Sequence, residues 1–267
     1  MSGRVLAEWR AALLLAALLA AGSAPGAAAP AGPWRPGTHA AIAYARTRAG
    51  LVRFSVRAGG RAWGWRATLP APSASVLKAM LLVAYLDDPR VRARPLRPTD
   101  ERLIVPMIRW SDNAAASHVL AIVGPRGVDG VARRARMRAF RLDPVIWGDS
   151  SIDADDQARF FRFLDRRVVP RHRATAMHLL ATVVPSQRWG VARVRPRGWR
   201  LYFKGGWGSG TGAVEHQVAL LERGRRRVAV AVLITGSPSH AYATQTLQGV
   251  FARLLRGLER KRFFRNS

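Results

Sequence analysis

Cysteine is absent from the 267 residues. Disulfides, thiolate metal sites and a cysteine nucleophile are thereby excluded, although this absence alone does not fix a cellular compartment. Acidic residues are few, 16 Asp+Glu against 44 Lys+Arg, so the formal charge is +28. Lysine is scarcer still: Lys78, Lys204 and Lys261 are the only three, and arginine fills every other basic position. Arginine stays charged under ordinary conditions, whereas a buried lysine can give up its proton and act as a base, so these few positions merit attention. Glutamate is missing altogether between Glu101 and Glu215. Long apolar runs are missing too, since Ala11 to Ala21 and Ala79 to Leu86 are both too short to span a bilayer.

The first of those runs follows Arg4 and Arg10 and precedes Gly22-Ser23-Ala24-Pro25-Gly26-Ala27-Ala28-Ala29. A basic start, a short apolar stretch and small residues read as a secretory signal over about residues 1–31, so an exported protein of the periplasm, cell envelope or medium is expected. The 49% hydrophobic content is ample for one compact domain with a real core, expected over residues 38–258 and followed by a basic tail at 259–267. The positive charge is diffuse and carries no groove-reading motif, so nucleic acid is not expected as a partner. Loose adhesion to anionic envelope polymers is the expectation instead.

Along the chain, Ala41-Ile42-Ala43-Tyr44-Ala45 and Leu51-Val52-Arg53-Phe54-Ser55-Val56 alternate across Arg48-Ala49-Gly50, which reads as a β-hairpin ended by Gly59-Gly60. Residues 75 to about 190 read as mostly helical, with helices over Asp100 to Arg109, Ala114 to Val123, Val128 to Arg136 and Asp153 to Leu164. Strands return at Trp199 to Phe203, Val214 to Leu221 and Val228 to Thr235. The last is apolar almost throughout, as suits a central strand, and Leu247, Val250, Phe251, Leu254 and Leu255 lie on one face of a C-terminal helix. The expected fold is α/β (α+β): an antiparallel sheet of N- and C-terminal strands, flanked by helices, with an inserted helical lobe.

Three stretches carry chemistry. In Ser75-Val76-Leu77-Lys78 a hydroxyl and an amine stand three apart at the start of an apolar helix, a nucleophile with a base in reach. Ser111-Asp112-Asn113 precedes a helix, and Lys204-Gly205-Gly206 closes the strand from Trp199. Each has a plain structural reading, as a helix cap or a strand-end turn. The histidines show no zinc-ligand spacing, and no metal or organic cofactor is expected.

Taken in order, S-x-x-K, S-D-N and K-x-G resemble the penicillin-recognising serine hydrolases, class A β-lactamases and penicillin-binding D,D-peptidases, over about Thr38 to Leu258. Trp110-Ser111-Asp112-Asn113 and Leu233-Ile234-Thr235-Gly236-Ser237-Pro238 look closest to class A. The resemblance implies acylation of Ser75 by a β-lactam or D-amino-acyl peptide, with Lys78 as base and Ser111 relaying a proton to the departing nitrogen. It further implies substrate binding by Asn113, Gly206 and Trp207, positive charge from Lys204 beside Ser111, and an oxyanion hole from the backbone N–H groups of Ser75 and Trp207.

Two departures stand out. Gly205 replaces the hydroxyl residue usual in the third motif, with Ser209 or Thr211 as compensating candidates. The loop glutamate that activates water in class A enzymes has no counterpart, and Asp143 and Asp149 are the only carboxylates in the corresponding stretch from Arg141 to Ser150. Acylation is therefore better supported than rapid release. The rivals to a β-lactamase are a D,D-peptidase or esterase on peptidoglycan fragments and a slowly deacylating or non-catalytic wall-binding protein.

Overall fold

The computed structural model describes residues 33–208 and 213–259. The expected leader, most of the basic tail, and Ser209 and Thr211 lie outside them. In chain order come α1 (Thr38–Arg46), β1 (Leu51–Ala58), β2 (Arg61–Trp65), β3 (Ala71–Pro72), a 3₁₀ turn at Ala74–Leu77 and α2 (Lys78–Asp87). Next are α3 (Pro89–Arg92), α4 (Pro98–Arg109), α5 (Asn113–Arg134), a 3₁₀ turn at Trp147–Asp149, β4 (Ser151–Ile152), α6 (Ala154–Arg162), α7 (Leu164–Arg167) and α8 (Arg173–Ala181). β5 (Arg200–Gly208), β6 (Val214–Arg223), β7 (Arg226–Thr235) and α9 (His240–Leu254) complete the described chain.

A five-stranded antiparallel sheet, in the order β2-β1-β7-β6-β5, organises the rest. Alternation along its strands divides the core. Val218, Leu220, Ala229, Ala231 and Leu233 face α2 and the helical segment, while Ala219, Leu221, Val228, Val230 and Val232 face α9. β7 is central and buried from Val228 to Ile234, as its unbroken apolar run anticipates.

The first expected strand is instead α1. Ala41 and Ala45 are its buried residues, four apart on one helical face, a spacing that short alternation imitates. Opposite it, a Cβ on Gly249 of α9 would fall 2.3 Å from a Tyr44 ring carbon, so the glycine makes room for the Tyr44 ring between the two helices. The N-terminal hairpin is β1 with β2, and Gly59-Gly60 is its turn rather than its end, with φ of 52° and 76°.

α2 is buried at every residue from Lys78 to Leu86 and packs against α5, as the all-round apolar run requires. α5 is two helices joined at Gly124, whose φ of 64° and ψ of 172° break the backbone spiral where glycine followed by Pro125 predicts a stop. α4 begins at Pro98 and is fixed by Asp100, which accepts hydrogen bonds from Arg94, Tyr85 and the Arg97 N–H. Its carboxyl is held well below the usual carboxylate range, chiefly by the Arg94 hydrogen bonds. Among the described residues, no helix is long and apolar enough to cross a membrane.

Candidate active site

The turn bearing Ser75 forms where β3 meets α2. Its entry is forced, because Ala74 takes a φ of 42°, a left-handed conformation that costs a residue with a side chain about 1 kcal/mol. Neighbouring bonds hold it there. Ser73 donates its N–H to Ser150 O at 2.7 Å, and its hydroxyl lies 3.2 Å from Trp147 O. His216 of β6, fully buried, donates from Nε2 to Pro72 O (2.9 Å) and accepts the Ile234 N–H at Nδ1 (3.1 Å). Burial lowers its pKa to about 4, so it stays neutral. Within the turn the Lys78 N–H bonds to Ser75 O, as 3₁₀ geometry does between residues three apart.

Lys78 Nζ reaches Asn113 Oδ1 at 2.7 Å, Ser111 Oγ at 3.2 Å and the Ser111 carbonyl. Lys204 Nζ approaches the same hydroxyl from β5, 2.9 Å from Ser111 Oγ and 2.9 Å from Gly205 O. Two amines thus donate to one oxygen, which fills its acceptor sites and leaves its own proton to point elsewhere. Ser111 has a φ of 59°, and Asp112 caps α5 by accepting the Ala115 N–H at 2.7 Å. The triplet therefore caps α5 and also carries the two side chains that bond to the lysines.

Both lysines are fully buried. Burial lowers Lys78 from 10.5 to about 7, opposed in part by the charge of Asp112. Burial, with the neighbouring Lys78, lowers Lys204 in the same direction. Crowding two amines around one hydroxyl away from water disfavours charging them together.

Lys204-Gly205-Gly206 does not end a strand. β5 continues to Gly208 in unbroken register, with Lys204 opposite Val218, Gly206 opposite His216 and Trp207 opposite Glu215. The glycines answer to close approach instead. A Cβ on Gly206 would stand 2.8 Å from Ser75 N and 2.9 Å from Val76 N, so glycine lets β5 lie directly against the Ser75 turn. Gly205 points toward Trp189, 3.3 Å from a would-be Cβ, and the Trp189 and Trp207 rings meet edge-on at 5.5 Å. A side chain at 205 would press on the Trp189 ring, which would have to give by a few tenths of an ångström. Gln217 pins Trp189 by donating to its carbonyl at 3.0 Å.

The structure thus gathers Ser75, Lys78, Ser111, Asn113, Lys204 and Gly206, with Trp207 next along β5. Asp143 and Asp149 are not drawn in. Asp143 Oδ1 accepts the Val145 and Ile146 N–H groups at 2.9 and 2.8 Å, closing its own loop, and Asp149 is exposed. The residue of that loop that does reach the site is Trp147, whose ring centroid lies 5.0 Å from Lys78 Nζ and whose indole N–H meets Ser117 Oγ at 3.2 Å. Trp147 is one of six tryptophans that could line a cleft by residue type, and nothing in the sequence marks His216; the packing of β3, β6 and the loop brings both to these places.

A family model described as "Beta-lactamase enzyme family" matches residues 90–256. The chain belongs to the β-lactamase enzyme family. The match begins after the Ser75 turn, so the assignment of that turn rests on the geometry above. No curated protein matches the chain. Among solved structures, a β-lactamase from Sphaerobacter thermophilus aligns with a TM-score of 0.73 at 21% identity, covering 83% of this chain and 96% of that one. The chromosome-encoded β-lactamase of Vibrio parahaemolyticus aligns at 0.68 and 18%, covering 79% and 95%. A last common ancestor of Gram-negative bacterial class A β-lactamases aligns at 0.69 and 21%, covering 83% and 98%. The fold is therefore that of class A β-lactamases.

Proposed function

We propose that this β-lactamase-family protein is a serine acyl-transfer enzyme that opens the amide of a β-lactam on Ser75 and then hydrolyses the acyl-enzyme. The observation that carries the reading is the shared hydrogen-bond network of Lys78, Ser111, Asn113 and Lys204 beside the Ser75 turn. A lysine lowered to about 7 is half deprotonated near neutrality. In this reading Lys78 Nζ takes the Ser75 proton as Oγ attacks the carbonyl carbon, and the negative oxygen forms against the Ser75 and Trp207 N–H groups. Ser111 then passes its free proton to the departing nitrogen and regains one from an adjacent amine. Asn113 and Gly206 contact the substrate, and Lys204 supplies charge beside Ser111.

A second reading concerns release. The Trp147 ring beside Lys78, together with the Asp143 carboxylate engaged in its own loop, favours a long-lived acyl-enzyme. A D,D-peptidase or esterase on D-amino-acyl substrates shares the same acylation chemistry. Intact mass followed over time after adding a penicillin separates these readings. Attachment lost in Ser75→Ala supports acyl transfer, release within seconds supports a β-lactamase, and an adduct lasting hours supports arrested release. No attachment to the wild-type chain, with clear cleavage of a D-Ala-D-Ala ester, rejects the β-lactam. Action outside the cytoplasm belongs to the same proposal, supported by the composition of residues 1–31 and tested by N-terminal sequencing of exported protein.

A further inference from the structure

Beyond the Ser75 network, two residues that line one cavity each carry a buried polar atom without a hydrogen-bond partner among the described residues. The atoms are Glu215 Oε1, on a residue 1% exposed, and Ser237 Oγ, on a residue 8% exposed. The cavity holds about 300 Å³, the lower end of the range for small-ligand sites, and lies between β5, β6 and the start of α9. Trp207, Val214, Pro238 and Ala243 supply most of its apolar lining, and Ser239 and His240 also line it. The Trp207 ring also stands 5.9 Å from Lys204 Nζ, so the cavity adjoins the site already described.

Glu215 Oε2 lies 2.6 Å from His240 Nδ1. Oε1 takes no part in that contact and stands without a partner where an unmet polar atom is costly. Ser237 Oγ offers a second acceptor, and Trp207 offers an aromatic face that attracts positive charge. We propose that this cavity is a binding site for a small cationic hydrogen-bond donor, an ammonium group carried on an apolar body, held by Glu215 Oε1 and Ser237 Oγ against the Trp207 ring. Burial raises Glu215 to about 8, so the empty site rests largely as a neutral acid, and an arriving cation supplies the charge that lets it ionise. This site shares Trp207 with the acyl-transfer reading but uses neither Ser75 nor Lys78, so the two can be tested apart.

The test uses benzylamine as probe, with benzyl alcohol as the uncharged control, in saturation-transfer NMR on the wild-type chain and on Glu215→Gln, Ser237→Ala and Ser75→Ala. Benzylamine is expected to bind the wild type in the millimolar range. Affinity should weaken at least about fivefold in Glu215→Gln, weaken to a smaller extent in Ser237→Ala, and stay unchanged in Ser75→Ala, which loses penicillin labelling. Should Glu215→Gln fail to fold, the Ser237→Ala affinity decides. The proposal is overturned by absence of benzylamine binding to the wild type, by equal affinity in the Glu215 or Ser237 variants, or by benzyl alcohol competing as well as the amine. Penicillin labelling that fails while amine binding persists removes the acyl-transfer reading and leaves this one standing.

Discussion

Attachment of a fluorescent penicillin to Ser75 should accelerate as pH rises through neutrality, because the base must first lose its proton. In the folded chain burial holds Lys78 at about 7 instead of 10.5, with Asp112 opposing. One unit below such a value about 9% of the amine is neutral, and one unit above about 91% is, so the labelling rate should rise roughly tenfold from about pH 6 to about pH 8 and then level. The rate constant is read from intact mass or gel fluorescence at sub-saturating penicillin. Asp112→Asn supplies the internal check. Its side-chain oxygen can still cap α5, but the charge that lifts Lys78 is gone, so the inflection should move to lower pH. A flat profile, or an inflection near the 10.5 of a free lysine, refutes the assignment of Lys78 as the base. The same shift has a stability counterpart. Between about pH 7 and 10.5 the unfolded chain binds a proton that folded Lys78 does not, so this group's contribution to stability rises with pH across that window.

Further expectations rest on separate contacts. Gly206→Ala places a methyl 2.8 Å from Ser75 N and pushes the nucleophile's turn off β5; labelling should slow by about 10²-fold while the thermal midpoint falls little. Gly205→Ser restores a hydroxyl but meets Trp189, so it should label more slowly alone, and Trp189→Ala should relieve it when the two are combined, a coupling read from a double-mutant cycle of labelling rates. Asp100→Asn leaves Arg94 without its carboxylate and should lower the urea midpoint of unfolding. The carboxyl lies below its unfolded value, so this contribution is present above that value and is lost as pH falls. Glu215 runs the other way. Between 4.5 and about 8 the folded chain holds a proton that the unfolded chain has lost, so stability falls with rising pH there, and Glu215→Gln should flatten that limb of a melting-temperature profile.

Legibility followed the range over which each residue acts. The unbroken apolar stretch of β7, the buried length of α2 and the stop at Gly124 are local patterns with local causes, and each could be read before any fold was known. α1 could not, because a short run with Ala41 and Ala45 fits a two-residue period about as well as a helical one, and contact with α9 makes the choice. The motifs likewise named Ser75, Lys78, Ser111, Asn113 and Lys204 from residue type and order.

What those motifs could not carry is the field around them. Lys78 is lowered to about 7 because α2 is buried, against the opposing charge of Asp112, and a Cβ at Gly205 would press on the Trp189 ring. Trp147 comes to the amine through the loop's contacts, and the Glu215–His240 pair faces a cavity that exists only once α9 closes over β5 and β6. Composition and spacing determined which functional groups the chain has to offer. Distance and burial, which depend on residues far apart meeting, decided which of those groups hold a proton, which lack a partner and which face one another.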